Sequence, residues 1–164
     1  REGLSKYKGG VFYDLAGHMI DQICWLQGRP KNIKSFFMNS DSKNKQFSDN
    51  TVSIFEYDEG MTILDISAME TKPMARRFEV YGTEGSAIME PFEPAYNIRL
   101  CLNNGFEDYK KGVNIVKIKD VPRYDKPFEI FINRVISNKI PIRSLEHEIL
   151  VQETLMRATG DIND

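Results

Sequence analysis

The first regular pattern along the chain spans VFYDLAGHMIDQICWLQ. Stepping 100° per residue places Phe12, Leu15, Ala16, Met19, Ile20, Ile23 and Leu26 on one broad apolar face. Gly9-Gly10 precedes the pattern, and Gly28 and Pro30 supply stop signals, so the spacing predicts a helix over 11–27. Asp14, His18 and Asp21 share a narrow polar stripe opposite the apolar face.

From Ile33 to Lys119 the period changes. Val, Ile, Phe, Tyr and Thr dominate short runs separated by turn residues, predicting strands at 33–38, 51–57, 61–69, 76–82, 86–90, 96–102 and 113–119. Asp58-Glu59-Gly60 and Gly82-Thr83-Glu84-Gly85 read as tight connections, and Asn103-Asn104-Gly105 as another turn. Links this short make neighbouring strands mostly antiparallel. Residues 39–50 are polar and read as a loop. Helix returns after Pro127, a first-turn residue of FEIFINRVISNK, and again after Ser144, the natural cap of a last helix reaching about Ala158.

This order predicts an α+β fold: an open, mostly antiparallel sheet with helices packed on one face. The whole chain, 1–164, reads as one domain. Apolar residues pointing both ways from the sheet call for a second subunit or domain on its other face.

Composition narrows the function. Hydrophobic residues make up 41% and charged residues 28%, and the net charge of −2 gives no electrostatic footprint for nucleic acid. No apolar run approaches the roughly 18 residues that span a bilayer. Cys24 and Cys101 are far apart in apolar stretches and read as buried free thiols, which fits a reducing, cytoplasmic setting. His147-Glu148 opens like a zinc-protease HExxH, but Val151 holds the second histidine position, so no metal site is expected.

That leaves the polar stripe of the first helix. Asp14 and His18, four residues apart, suit general acid–base chemistry, because a carboxylate orients an imidazole and raises its basicity. The same spacing also suits a solvated surface pair. Asp21 is open to an ion-pair role, Trp25 reads as packing, and His147 as a polar residue of the last helix's first turn.

The surrounding residues carry a resemblance. Gly9-Gly10, then Asp14, His18 and Asp21 as D-x-x-x-H-x-x-D, then Trp25-Leu26 and Gly28-Pro30, resemble a signature of the glucose–fructose oxidoreductase / inositol dehydrogenase / MocA family. The stretch FEVYGTEGSAIMEP, with Gly82 and Gly85, and the closing SLEHEILVQETLMRA resemble its later elements. The resemblance is to the family's second domain, with the fold of the glyceraldehyde-3-phosphate-dehydrogenase C-terminal domain, whose open sheet face commonly forms oligomer contacts. The family's first domain is a Rossmann unit with G-x-G-x-x-G and a later E-K-P lysine, and neither motif occurs here.

The resemblance implies that His18 takes the proton of a substrate hydroxyl as hydride leaves the carbon, with Asp14 beside it. Asp21, Lys6, Tyr7 and Tyr13 are implied as substrate contacts. It further implies NAD or NADP in the complete protein but none held by this chain, a sugar or polyol-like substrate, and a homo-oligomer. A fragment of such an oxidoreductase, inactive without its nucleotide-binding half, is the leading expectation. A stand-alone, non-enzymatic oligomerisation or carbohydrate-binding module is the alternative, and a cofactor-independent lyase or epimerase is a third.

Overall fold

The computed structural model describes residues 3–40, 47–74, 76–119, 124–140 and 142–162. Its order is α1 (Val11–Gln27), β1 (Asn32–Met38), β2 (Asn50–Glu56), β3 (Met61–Ser67), β4 (Phe78–Gly82), β5 (Gly85–Met89), β6 (Asn97–Leu102), β7 (Gly112–Lys117), α2 (Asp125–Ile136) and α3 (Leu145–Thr159). A 3-10 turn, Leu4–Lys6, precedes α1. The fold is α+β, with every strand pair antiparallel. Among the described residues, seven strands form two sheets, β1-β2-β3 and β4-β5-β6-β7, and the chain forms two compact units.

The first unit comprises Arg1–Met69 and Lys139–Asp164. It holds the whole described core. α1 buries Phe12, Ala16 and Ile20 completely, against Phe55, Leu64 and Ile66 of the sheet and Leu155 and Ala158 of α3. Each such side chain is worth about 1.5–3 kcal/mol of apolar burial. The sheet's inner rows also carry hydroxyls, and each has a partner. Ser35 Oγ lies 2.7 Å from Ser53 Oγ, and the Thr51 hydroxyl donates to the Ile66 carbonyl at 2.9 Å.

Gly10 sets where α1 begins. Its φ is +54°, and a Cβ there would lie 2.4 Å from the Ser48 carbonyl oxygen. That oxygen accepts from Val11 N at 2.9 Å, so the segment before β2 serves as the backbone cap of α1. At the other end, Arg29 makes a bidentate pair with Glu153, and Arg157 donates to the Pro30 and Lys31 carbonyls at 3.0 and 2.9 Å. The end of α1 is thereby fastened to α3.

The second unit, Glu70–Asn138, has no buried residue among those described. β4 and β5 are joined by the tight Gly82–Gly85 turn, and Asn103 Nδ2 steadies it by donating to the Thr83 carbonyl at 2.8 Å. α2 leaves Phe128, Phe131, Val135 and Ile136 exposed.

Two expectations change. Residues 39–50 are not a wholly solvated loop: Phe47 and Asp49 are buried, and Asp49 accepts from Ser40 N at 2.9 Å and Ser40 Oγ at 2.7 Å. A carboxylate can be buried there because both oxygens are engaged. Residues 41–46 of that stretch lie outside the described residues. Cys24 is buried as expected, but Cys101 is only half-buried, since β6 belongs to the unit without a closed core.

Candidate active site

The polar stripe of α1 faces away from its buried side. Asp14 and His18 are both exposed, and neither makes a hydrogen bond or ion pair among the described residues. An exposed imidazole one turn from a carboxylate can accept or return a proton to a molecule docked on that face. The apolar side of the same helix fixes the stripe's direction.

The residues preceding α1 converge on its first turns. Tyr7 follows the 3-10 turn and lies flat on Tyr13, with ring centroids 4.6 Å apart and planes 2° from parallel. Tyr7 remains about half exposed, and Lys6 is exposed in the turn itself.

Asp21 is placed differently. Its Oδ1 lies 2.7 Å from His147 Nε2, and its Oδ2 lies 2.9 Å from Arg143 Nη2. Asp21 and His147 are mostly buried, with side-chain exposures of 18% and 14%. The Trp25 ring meets His147 edge-on at 5.7 Å and stays 60% exposed. This cluster links α1 to α3: the ion-pair role left open for Asp21 is the one it takes, but its partners escaped the sequence reading. Its partners stand 126 positions apart, and no local spacing could pair them. The one available signal was that His147 sits three residues past a good cap, where Ser144 Oγ accepts from His147 N at 3.2 Å.

Two further groups near α1 have shifted ionisation. Burial pushes the Cys24 thiol up, and it donates to Thr154 Oγ1 at 3.7 Å, so it stays protonated and inert. Burial likewise pushes the Tyr57 phenol up to about 12; its buried Oη has no hydrogen-bond partner.

A dinucleotide does not fit what is described. Such cofactors need a glycine-rich turn from a parallel strand into a helix N-terminus. Here Gly82 and Gly85 close an antiparallel hairpin, and a Cβ on Gly85 would lie 2.2 Å from the Cys101 carbonyl oxygen. That glycine serves strand packing. Among the described residues, no cluster of His, Cys, Asp or Glu can hold a metal ion, and no helix is long and apolar enough to cross a membrane.

A family model described as GFO/IDH/MocA C-terminal domain matches residues 2–88. No curated protein matches the chain. Among solved structures, UDP-N-acetylglucosamine 3-dehydrogenase GnnA from Acidithiobacillus ferrooxidans superposes with a TM-score of 0.70 at 13% identity, covering 89% of this chain and 44% of that one. An oxidoreductase from Agrobacterium radiobacter, solved with NAD+, L-tartaric acid and magnesium, gives 0.68 at 12% identity, covering 91% and 46%. An oxidoreductase from Bacillus cereus gives 0.68 at 18%, covering 93% and 57%. The chain thus spans about half the length of the structures it resembles.

Proposed function

The chain belongs to the GFO/IDH/MocA family as a C-terminal domain, and from that premise we propose that it is the substrate-binding and oligomerisation domain of an NAD- or NADP-dependent oxidoreductase acting on a sugar, polyol or related alcohol. The observation that carries this reading is the exposed Asp14–His18 stripe on a helix whose opposite side is locked into the core. His18 accepts the proton of the substrate hydroxyl in oxidation and returns it in reduction. Asp14 steadies the imidazole or holds a second hydroxyl. Tyr13 and the stacked Tyr7 present a flat surface for a ring's C–H face, and Lys6 offers an ammonium to its hydroxyls. Asp21 closes the stripe, where any substrate contact competes with His147 and Arg143.

Two structural relatives support the substrate class. One is named as a dehydrogenase of a nucleotide sugar, and another was solved with NAD+ and a hydroxy acid. A bound nicotinamide supplies hydride acceptance. The Gly82–Gly85 turn is an antiparallel hairpin and not a dinucleotide cradle, and the part argued for this chain is toward the substrate and the proton. The outward face of the first sheet, with Phe36, Met38 and Ile63 exposed, supports the oligomerisation role.

The test is His18→Ala in the oxidoreductase that carries this domain. Loss of a general acid–base group should lower kcat by about 10²–10⁴-fold, with an unchanged circular dichroism spectrum. Turnover within a few-fold of the parent protein would remove His18 from the chemistry. The domain would then be better read as a binding or assembly module.

A further inference from the structure

Asp21 lies three residues after His18 on α1, within reach of it as an i,i+3 neighbour. Yet both its oxygens are engaged by residues outside α1, one bonded to His147 Nε2 at 2.7 Å and one to Arg143 Nη2 at 2.9 Å. The edge of Trp25 backs the His147 ring. We propose that His147 and Arg143 are positioning residues that draw Asp21 away from His18, so that Asp14 is left as the carboxylate neighbour of the exposed imidazole on its own helix.

The charges around α1 support this. From α1 itself come Asp14, Asp21 and the buried Cys24 thiol; from α3 and the segment before it come His147, Arg143 and Glu153, the last already paired with Arg29 just past α1. β2 and β3 present Ser53, Phe55, Leu64 and Ile66 to α1, none of them charged. His147 and Arg143 are therefore the groups placed to divert Asp21. A second free carboxylate would favour the imidazolium and leave less of the neutral ring to accept a proton.

The inference takes its functional meaning from the proposed role of His18, but its test does not depend on activity. The chain has two histidines, so two imidazole C2–H resonances report on it, and loss of one in a His147 variant assigns both. With both partners removed, in His147→Ala/Arg143→Ala, the freed Asp21 should move the titration midpoint of His18 upward by about 0.3 pH unit, the worth of an exposed i,i+3 ion pair. Adding Asp21→Asn to that variant should cancel the shift. His147→Gln keeps a donor to Asp21 and should leave the midpoint in place. An unmoved midpoint in the folded double variant would overturn the proposal. If that variant does not fold, Asp21→Asn alone decides. A midpoint lowered as far as by Asp14→Asn means Asp21 already acts on His18 and the proposal fails, while a smaller effect upholds it. Failure here leaves the catalytic reading standing, and a failed His18→Ala assay leaves this one standing.

Discussion

At the scale of single residues, the same substitution should have opposite signs at two glycines of one helix. Gly10 has φ +54°, and its added Cβ would sit 2.4 Å from the Ser48 carbonyl oxygen, a backbone atom that cannot swing aside. Gly10→Ala should cost on the order of 2–3 kcal/mol, because it also displaces the carbonyl that caps Val11 N. Gly17 lies inside α1 with nothing within 4 Å of an added Cβ. Gly17→Ala should therefore stabilise by about 0.5–1 kcal/mol, the helix-propensity difference. Urea unfolding of both variants checks the pair, and a Gly10→Ala chain as stable as the parent would refute the close-packed start of α1. Tyr57 makes a pH prediction. Its phenol is raised from an unfolded value near 10 to about 12 by burial. The folded state thus holds the proton more tightly, and the contribution is fully present below pH 10 and lost as pH rises toward 12. Other groups titrate in that window, so the readout is a comparison. Stability should fall more steeply from pH 9.5 to 11.5 in the parent chain than in Tyr57→Phe, by the linkage argument. Equal slopes would mean the phenol is as accessible folded as unfolded.

At the scale of elements, α3 ties the candidate site together, and its first turn is where it is most easily loosened. Ser144 accepts from His147 N, and the Glu146 carboxyl is held below the usual carboxylate range by its own backbone N–H and by the Ser144 hydroxyl. Ser144→Ala should cost about 1 kcal/mol and also disturb the His147 ring that engages Asp21. The Glu146 share of this cap is present above the unfolded carboxylate value and lost as pH falls through the lowered one. The variant's deficit should therefore shrink in acid, which chemical denaturation at pH 7 and pH 3.5 would show. The elements themselves were readable because their periods are local. α1 follows from apolar residues three and four apart, and β2 from the alternation of Thr51, Ser53 and Phe55 inward with Val52 and Ile54 outward. The joins between elements were not readable. Asp49 sits in a polar stretch yet is buried on Ser40, and Asp21 finds its partners at the far end of the chain. Both depend on which segments the core brings together, and residue spacing does not encode that. The division of the strands into two sheets is of the same kind, since each strand was legible but its non-pairing with the next was not.

At the scale of the molecule, the two faces of the first sheet differ in what they still need. The inner face is closed by α1 and α3. On the outer face, pairing places Lys34, Ile54 and Ile63 in one row and Phe36, Val52 and Asp65 in the next, with Met38 and Met61 toward opposite ends. Phe36, Met38, Met61 and Ile63 are each more than half exposed. Four large apolar side chains exposed on one sheet face are more than monomers usually leave to water. Under the proposed reading, a second copy covers it. Ile63 is the residue to change, because it faces outward from the middle of β3, opposite Ile54, and makes no part of the buried core. Ile63→Glu should leave the fold and the Trp25 environment intact, since the substitution points away from α1. In sedimentation velocity the parent chain should run as an oligomer and the variant as a monomer. An introduced carboxylate facing its own symmetry copy would be buried unpaired, at a cost of several kcal/mol, enough to weaken association by more than a hundredfold. If parent and variant sediment alike as oligomers, the copies meet elsewhere, and the exposed strands of the second unit become the face to test. If both are monomers, the outer sheet awaits a different partner, and the oligomerisation half of the proposed function falls while the His18 half stands on its own assay.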